Sequence, residues 1–115
     1  MRSEIHDKLI ELLGEDMALR LIELHGGTQL YIAVGPNVGK LRLAHELSPA
    51  AEIAMARGYG AGNLKIPLAK RWRARIYRSR GLTHREIARR LGCTERAVVA
   101  YLQPETTSLQ MTMPF

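Results

Sequence analysis

The sequence predicts a mainly α protein with a short β segment, in which an N-terminal helical dimerisation region precedes a C-terminal helix-turn-helix. Three observations carry this reading. Apolar residues recur at helical spacing over most of the 115-residue chain. A β-branched and aromatic run at residues 28–34 is bounded by glycine and proline. Residues 82–102 hold two capped amphipathic segments joined by a glycine. The expected boundaries are 1–63 for the dimerisation region and 64–103 for the DNA-binding domain, with 104–115 as a mobile tail that lacks periodicity.

The N-terminal elements follow from local signals. Ser3 is placed to cap a first helix with Ile5, Leu9, Leu12 and Leu13 as its apolar stripe, and Gly14 stops it. A second helix from Asp16 to His25 aligns Met17, Leu21 and Leu24 and ends at Gly26-Gly27. The strand at residues 28–34 then ends at Gly35-Pro36. Residues 38–47 are expected to be helical, and Ser48-Pro49 starts a further helix to about Arg57, with Pro at its first position. Residues 58–63 read as a flexible glycine joint, and Pro67 biases Ile66 toward an extended conformation. The glycines, polar pair and short strand of Gly26-Gly27-Thr28-Gln29-Leu30-Tyr31-Ile32 echo in Gly60-Ala61-Gly62-Asn63-Leu64-Lys65-Ile66, so the two strands pair with each other or across a dimer. Two striped helices and one strand are too small to bury themselves in one subunit. Met17, Leu21, Leu24, Leu30, Tyr31 and Ile32 are therefore the expected homodimer interface.

In the C-terminal half, Thr83 and Glu86 form a capping-box pair, Ile87, Ala88 and Leu91 share a face, and Gly92 ends that helix in a left-handed turn. Thr94 caps a second helix with Val98, Tyr101 and Leu102 pointing inward. Glu95, Arg96, Val99, Ala100 and Gln103 point outward, and in a DNA-binding unit of this kind such residues meet base edges in the major groove. Arg96 suits guanine, Gln103 adenine, Glu95 cytosine, and Val99 or Ala100 a thymine methyl. Arg73, Arg80, Thr83, Arg85, Arg89, Arg90 and Thr94 are the candidate phosphate contacts. An ordinary αα-hairpin is the structural alternative.

Charge separates the halves. Residues 1–64 hold six Lys/Arg against eight Asp/Glu, whereas residues 65–115 hold eleven against three. The basic run from Lys65 to Arg80, interleaved with Leu68, Trp72, Ile76 and Tyr77, reads as an amphipathic helix with a packed inner stripe and an outer stripe for a polyanion. A merely solvated basic face is the alternative, and Trp72 reads as a core anchor before a stacking platform. Residues 35–40 resemble a phosphate-binding loop only superficially, because three residues instead of four separate the glycines and Leu41 follows the lysine. Gly58, Gly60 and Gly62 follow a helix, against a dinucleotide fingerprint. The four histidines are scattered and Cys93 stands alone at the turn as a core thiol, so neither metal nor cofactor is expected. No serine has a nucleophile's setting, and the expectation is a non-enzyme. One cysteine, no membrane-length apolar run and no signal-peptide pattern favour the cytoplasm.

The chain resembles the Mor transcription activator family of phage Mu and related prophages. Gly14-Glu15-Asp16-Met17-Ala18-Leu19-Arg20-Leu21-Ile22-Glu23-Leu24-His25-Gly26-Gly27-Thr28-Gln29-Leu30-Tyr31-Ile32 is similar to that family's helix, glycine pair and Tyr-Ile strand. Ile66-Pro67 is similar to the Ile-Pro that closes the strand, and residues 72–102 to the basic helix and helix-turn-helix. Relative to the family, residues 35–63 are an insertion and Ala33 replaces a proline. The resemblance implies a homodimer whose paired C-terminal units hold double-stranded DNA and activate transcription with the host RNA polymerase. A binding module of a recombinase or terminase, or a basic module that binds an acidic protein, are the competing readings.

Overall fold

The computed structural model describes residues 4–104, which form seven helices and two strands. The chain divides between Ala69 and Lys70 into two compact units. The first contains α1 (Glu4–Leu13), α2 (Glu15–His25), β1 (Gln29–Ile32), α3 (Arg42–Glu46), α4 (Pro49–Tyr59) and β2 (Gly62–Lys65). The second contains α5 (Lys70–Ser79), α6 (His84–Leu91) and α7 (Glu95–Tyr101). The Ser3 cap, the Ile5 side chain and the tail from residue 105 lie outside the described residues.

In the first unit α1 packs on α2 and α4. Leu9 of α1, Ala18, Leu21 and Ile22 of α2, and Met55 of α4 are all within 1% of complete burial, so the helical stripes do meet one another. Close packing of α1 on α4 depends on Gly58. A Cβ there would stand 2.4 Å from Leu12 Cδ1 and 3.0 Å from Cδ2. The residue read as part of a flexible joint is instead helical, and the absent side chain lets α1 approach. Tyr59 ends α4 with the Lys8 ammonium 4.4 Å from its ring centre, and burial pushes its hydroxyl pKa up.

The two strands pair with each other, antiparallel, with Gln29 opposite Lys65, Leu30 opposite Leu64, Tyr31 opposite Asn63 and Ile32 opposite Gly62. The ladder continues past both strands, as Gly27 N–H donates to Ile66 O and Ile66 N–H to Thr28 O. β2 therefore belongs to the N-terminal unit, and the break falls six residues after the expected boundary at 63. Alternation puts buried Ile32 on the inner face with half-buried Leu30 and Leu64, while Gln29, Tyr31, Asn63 and Lys65 are exposed.

Residues 38–47 give only the short α3, and the reason is Glu52. This carboxylate, 6% exposed, accepts from Gly39 N–H, from Leu41 N–H at 3.1 Å and from Ala44 N–H at 3.3 Å. One side chain from α4 thus gathers backbone donors of the segment before α3, and residues 35–41 run as turns and bends. Ser48 caps α4 as expected, its hydroxyl accepting from Ala51 N–H at 3.0 Å with Pro49 at the first position. Glu46 ties α3 to α2: its carboxylate accepts from His25 Nε2 at 2.7 Å and Arg42 Nε at 3.0 Å, while its carbonyl accepts from Arg20 Nε at 2.7 Å. The His25 hydrogen bond, assisted by Arg42, holds the Glu46 carboxyl below the usual 4.5. Beside these groups is an open cavity of about 380 Å³ lined by His25, Tyr31, Glu46 and Met55 among others.

This packing corrects the expected interface. Leu21 and Ile32 belong to the subunit's own core, and Met17 and Leu30 are half-buried; of the six residues only Leu24, at 48%, and Tyr31, at 63%, are exposed. Glu52→Ala should strand the Gly39 and Leu41 backbone donors, while Ala44 N–H keeps Leu41 O at 3.0 Å, and lower unfolding stability by about 2–4 kcal/mol, read as a shifted urea midpoint at constant slope. Glu46 contributes stability that is present above its ordinary pKa of 4.5 and lost as pH falls through the lowered folded value. The stability difference between wild type and Glu46→Gln should accordingly shrink on acidification.

Candidate functional site

The second unit is assembled from three short helices that touch pairwise. Its core comes from Ala74 and Tyr77 of α5, Ile87, Ala88 and Leu91 of α6, and Val98 of α7. Local chemistry sets the helix limits. Thr83 Oγ1 accepts from Glu86 N–H at 3.2 Å, and Glu86 Oε1 accepts from Thr83 N–H at 2.8 Å, completing the reciprocal cap of α6. Gly92 closes α6 at φ 68° and ψ 41°, in the left-handed region that costs other residues about 1 kcal/mol or more. Thr94 Oγ1 accepts from Ala97 N–H at 3.1 Å and starts α7. Cys93, at the turn between them, is half-buried.

With Val98 fully buried and Tyr101 and Leu102 half-buried, the opposite face of α7 is free. Glu95, Arg96, Val99, Ala100 and Gln103 are all exposed, at the three- and four-residue spacing that makes one continuous surface. Arg85 and Arg89 are exposed four residues apart on α6. Neither they nor Arg96 form a hydrogen bond or ion pair among the described residues. Thr83 and Thr94 are exposed at the two helix starts, each with its hydroxyl oxygen already accepting a backbone N–H. Arg90 is exposed, with its guanidinium 5.5 Å from the Tyr77 ring centre, and Arg80 is exposed at the end of α5.

The arginines of α5 are arranged differently from the expected outer stripe. Arg73 is only 8% exposed. Its guanidinium lies 3.4 Å from Tyr77 Oη and donates to Arg90 O at 3.4 Å, so it bridges the core to the end of α6. As a phosphate contact Arg73 is thus misplaced, because its charged end is turned into the unit. Arg78 donates to Leu82 O at 3.1 Å. Arg71 Nη1 reaches the carbonyls of Ala100, Tyr101 and Gln103, and Arg75 Nη2 reaches Gln103 O at 3.0 Å. Leu68, expected on the inner stripe, precedes α5 and is 47% exposed, while Trp72 is half-buried. The carbonyl-holding role of Arg71 and Arg75 had no signal in spacing; the only hint for Arg73 was a tyrosine four residues later on the same helical face.

From Lys70 onward the chain carries ten Lys/Arg against three Asp/Glu, so the field of this unit is strongly positive even with four guanidiniums bonded to carbonyls. Among the described residues no group of three His, Cys, Asp or Glu is placed to hold a metal ion, and no helix is long and apolar enough to cross a membrane. No protein-family model, curated protein or solved structure matches the chain.

Arg73→Ala should lower stability by about 1–3 kcal/mol through lost packing and hydrogen bonding, while Arg89→Ala should stay within about 0.5 kcal/mol of wild type in the same denaturation assay. The Thr83 backbone N–H, with its hydroxyl, holds the Glu86 carboxyl below 4.5. Its contribution is therefore present above pH 4.5 and fades as pH falls through the lowered value. In an NMR titration Thr83→Ala, which removes the hydroxyl but keeps the backbone N–H, should raise the Glu86 pKa only part of the way toward its ordinary value.

Proposed function

We propose that the chain is a sequence-specific DNA-binding protein whose helix-turn-helix, α6 and α7, docks on duplex DNA with α7 in the major groove. More particularly, it acts as a transcription regulator of the Mor type, a phage or prophage activator working with host RNA polymerase. The observation that carries the first statement is the exposed single face of α7 together with Arg85, Arg89 and Arg96, three cations with no acidic partner among the described residues. Base edges in the major groove are read by hydrogen-bonding and apolar side chains in such a row, and flanking guanidiniums attract the phosphates by charge. Arg96 reads guanine, Val99 meets a thymine methyl, and Arg85, Arg89 and the capped helix starts at Thr83 and Thr94 hold the backbone. The Mor-type reading rests on the glycine pair, the Tyr-Ile strand, Ile66-Pro67 and the C-terminal pattern. In this reading two copies associate through the N-terminal unit, where the exposed Leu24 and Tyr31 remain available after the core has taken Leu21 and Ile32.

A dimer engaging roughly six phosphates should lose about 10³-fold in duplex affinity between 50 and 200 mM salt. On the best site, found by selection from random duplexes, Arg96→Ala should cost about 1–3 kcal/mol and relax one base preference, whereas Arg89→Ala should weaken all sequences alike. A flat salt response would contradict DNA binding. Equal losses on selected and random duplexes would remove Arg96 from base reading, and a single unrepeated half-site would argue against the two-fold dimer.

A further inference from the structure

We propose that Arg71 and Arg75 are positioning residues that fix the C-terminal end of α7 and thereby set the sequence specificity of the unit. The proposal rests on the reading of α7 as the helix that meets DNA bases. Seven residues form fewer than two turns of helix, and the carbonyls at such an end have no partner within the helix. Leu102 N–H supplies the last turn, bonding Val98 O and Ala100 O. Beyond it Gln103 N–H reaches only Ala100 O, at 3.3 Å, and Pro104 has no N–H to offer. The guanidiniums supply the missing donors. Arg71 Nη1 stands 3.1 Å from both Tyr101 O and Gln103 O and 3.4 Å from Ala100 O, and Arg75 Nη2 stands 3.0 Å from Gln103 O. Positive charge at this end also opposes the negative pole of the helix.

The consequence is a division of labour within one basic sequence. Arg71 and Arg75 belong to the run that composition assigns to phosphate, yet a terminal nitrogen of each is engaged by the backbone that carries Ala100 and Gln103. Losing them leaves the base-reading side chains in place but their helix end loose. Specific binding, which needs several side chains aligned at once, suffers most, while attraction to random duplex is little changed.

The test compares Arg71→Ala and the charge-conserving Arg71→Lys with wild-type full-length chain; Arg75 still holds Gln103 O in both, and thermal denaturation verifies that each is folded. In Arg71→Ala, amide exchange protection over residues 98–102 should fall about tenfold while α6 is unaffected. On duplex DNA the ratio of selected-site to random affinity should also fall about tenfold, with the slope of log K against log salt unchanged. Arg71→Lys, which keeps the charge but not the planar, preorganised group that holds Nη1 among these carbonyls, should retain random-duplex affinity and lose part of the ratio. A slope reduced by about 0.9 with the ratio intact would overturn the proposal and make Arg71 a phosphate contact. Unchanged exchange at 98–102 would overturn it as well. If exchange rises in the variant while wild type binds no duplex, the clamp stands and the DNA reading fails.

Discussion

A helix as short as α7 cannot persist in water on its own hydrogen bonds, and the surface offered by the C-terminal unit depends on what holds that helix from outside. Three supports act on it. Thr94 satisfies its first turn, the fully buried Val98 presses its inner face into the core, and Arg71 with Arg75 fills its last carbonyls. The supports come from separate parts of the sequence and converge on one requirement, that the inner face be saturated. The outer row of Glu95, Arg96, Val99, Ala100 and Gln103 is then left without structural duties.

The N-terminal unit solves a different problem with related chemistry. Its sheet has only two strands and would be marginal alone. Ile32 and Ile66 are buried, and Glu52 gathers backbone donors of the segment between β1 and α4. Buried carboxylates are stable only when their lone pairs are occupied, and here three peptide N–H groups meet that demand. In both units a charged side chain completes backbone that no regular helix or strand can complete: an anion for loose N–H groups in the first, cations for loose carbonyls in the second.

What was legible in the sequence was local. Thr83 with Glu86, Gly92, Thr94 and Ser48-Pro49 announce helix ends because each acts on peptide groups within four residues, and each does so in the structure. The inward and outward faces of α7 follow from helical periodicity for the same reason. Interactions between distant residues left no such mark. Apart from Tyr77 four residues on, nothing in the spacing distinguishes Arg73, turned into the core, from exposed Arg85, and Glu52 reads as one acidic residue on an ordinary helix face. Gly58 reads as a joint because a glycine needed for close approach and a glycine needed for freedom look identical in one dimension. The apolar stripe of α2 was legible as buried, but whether it is covered by the same chain or by a second copy depends on how α1 packs on α2, which leaves Leu21 fully buried.

The outer face of α7 is free, and the proposed function assigns it to DNA. Titrating an isotope-labelled sample of the full-length chain with a selected duplex, and following backbone amide shifts, tests this most directly. Shifts concentrated at Arg85, Arg89 and residues 94–103, with the amides around the Glu52-bound loop unmoved, are the result the account predicts. Shifts confined to the N-terminal unit, or a spectrum unchanged by duplex at low salt, would contradict it.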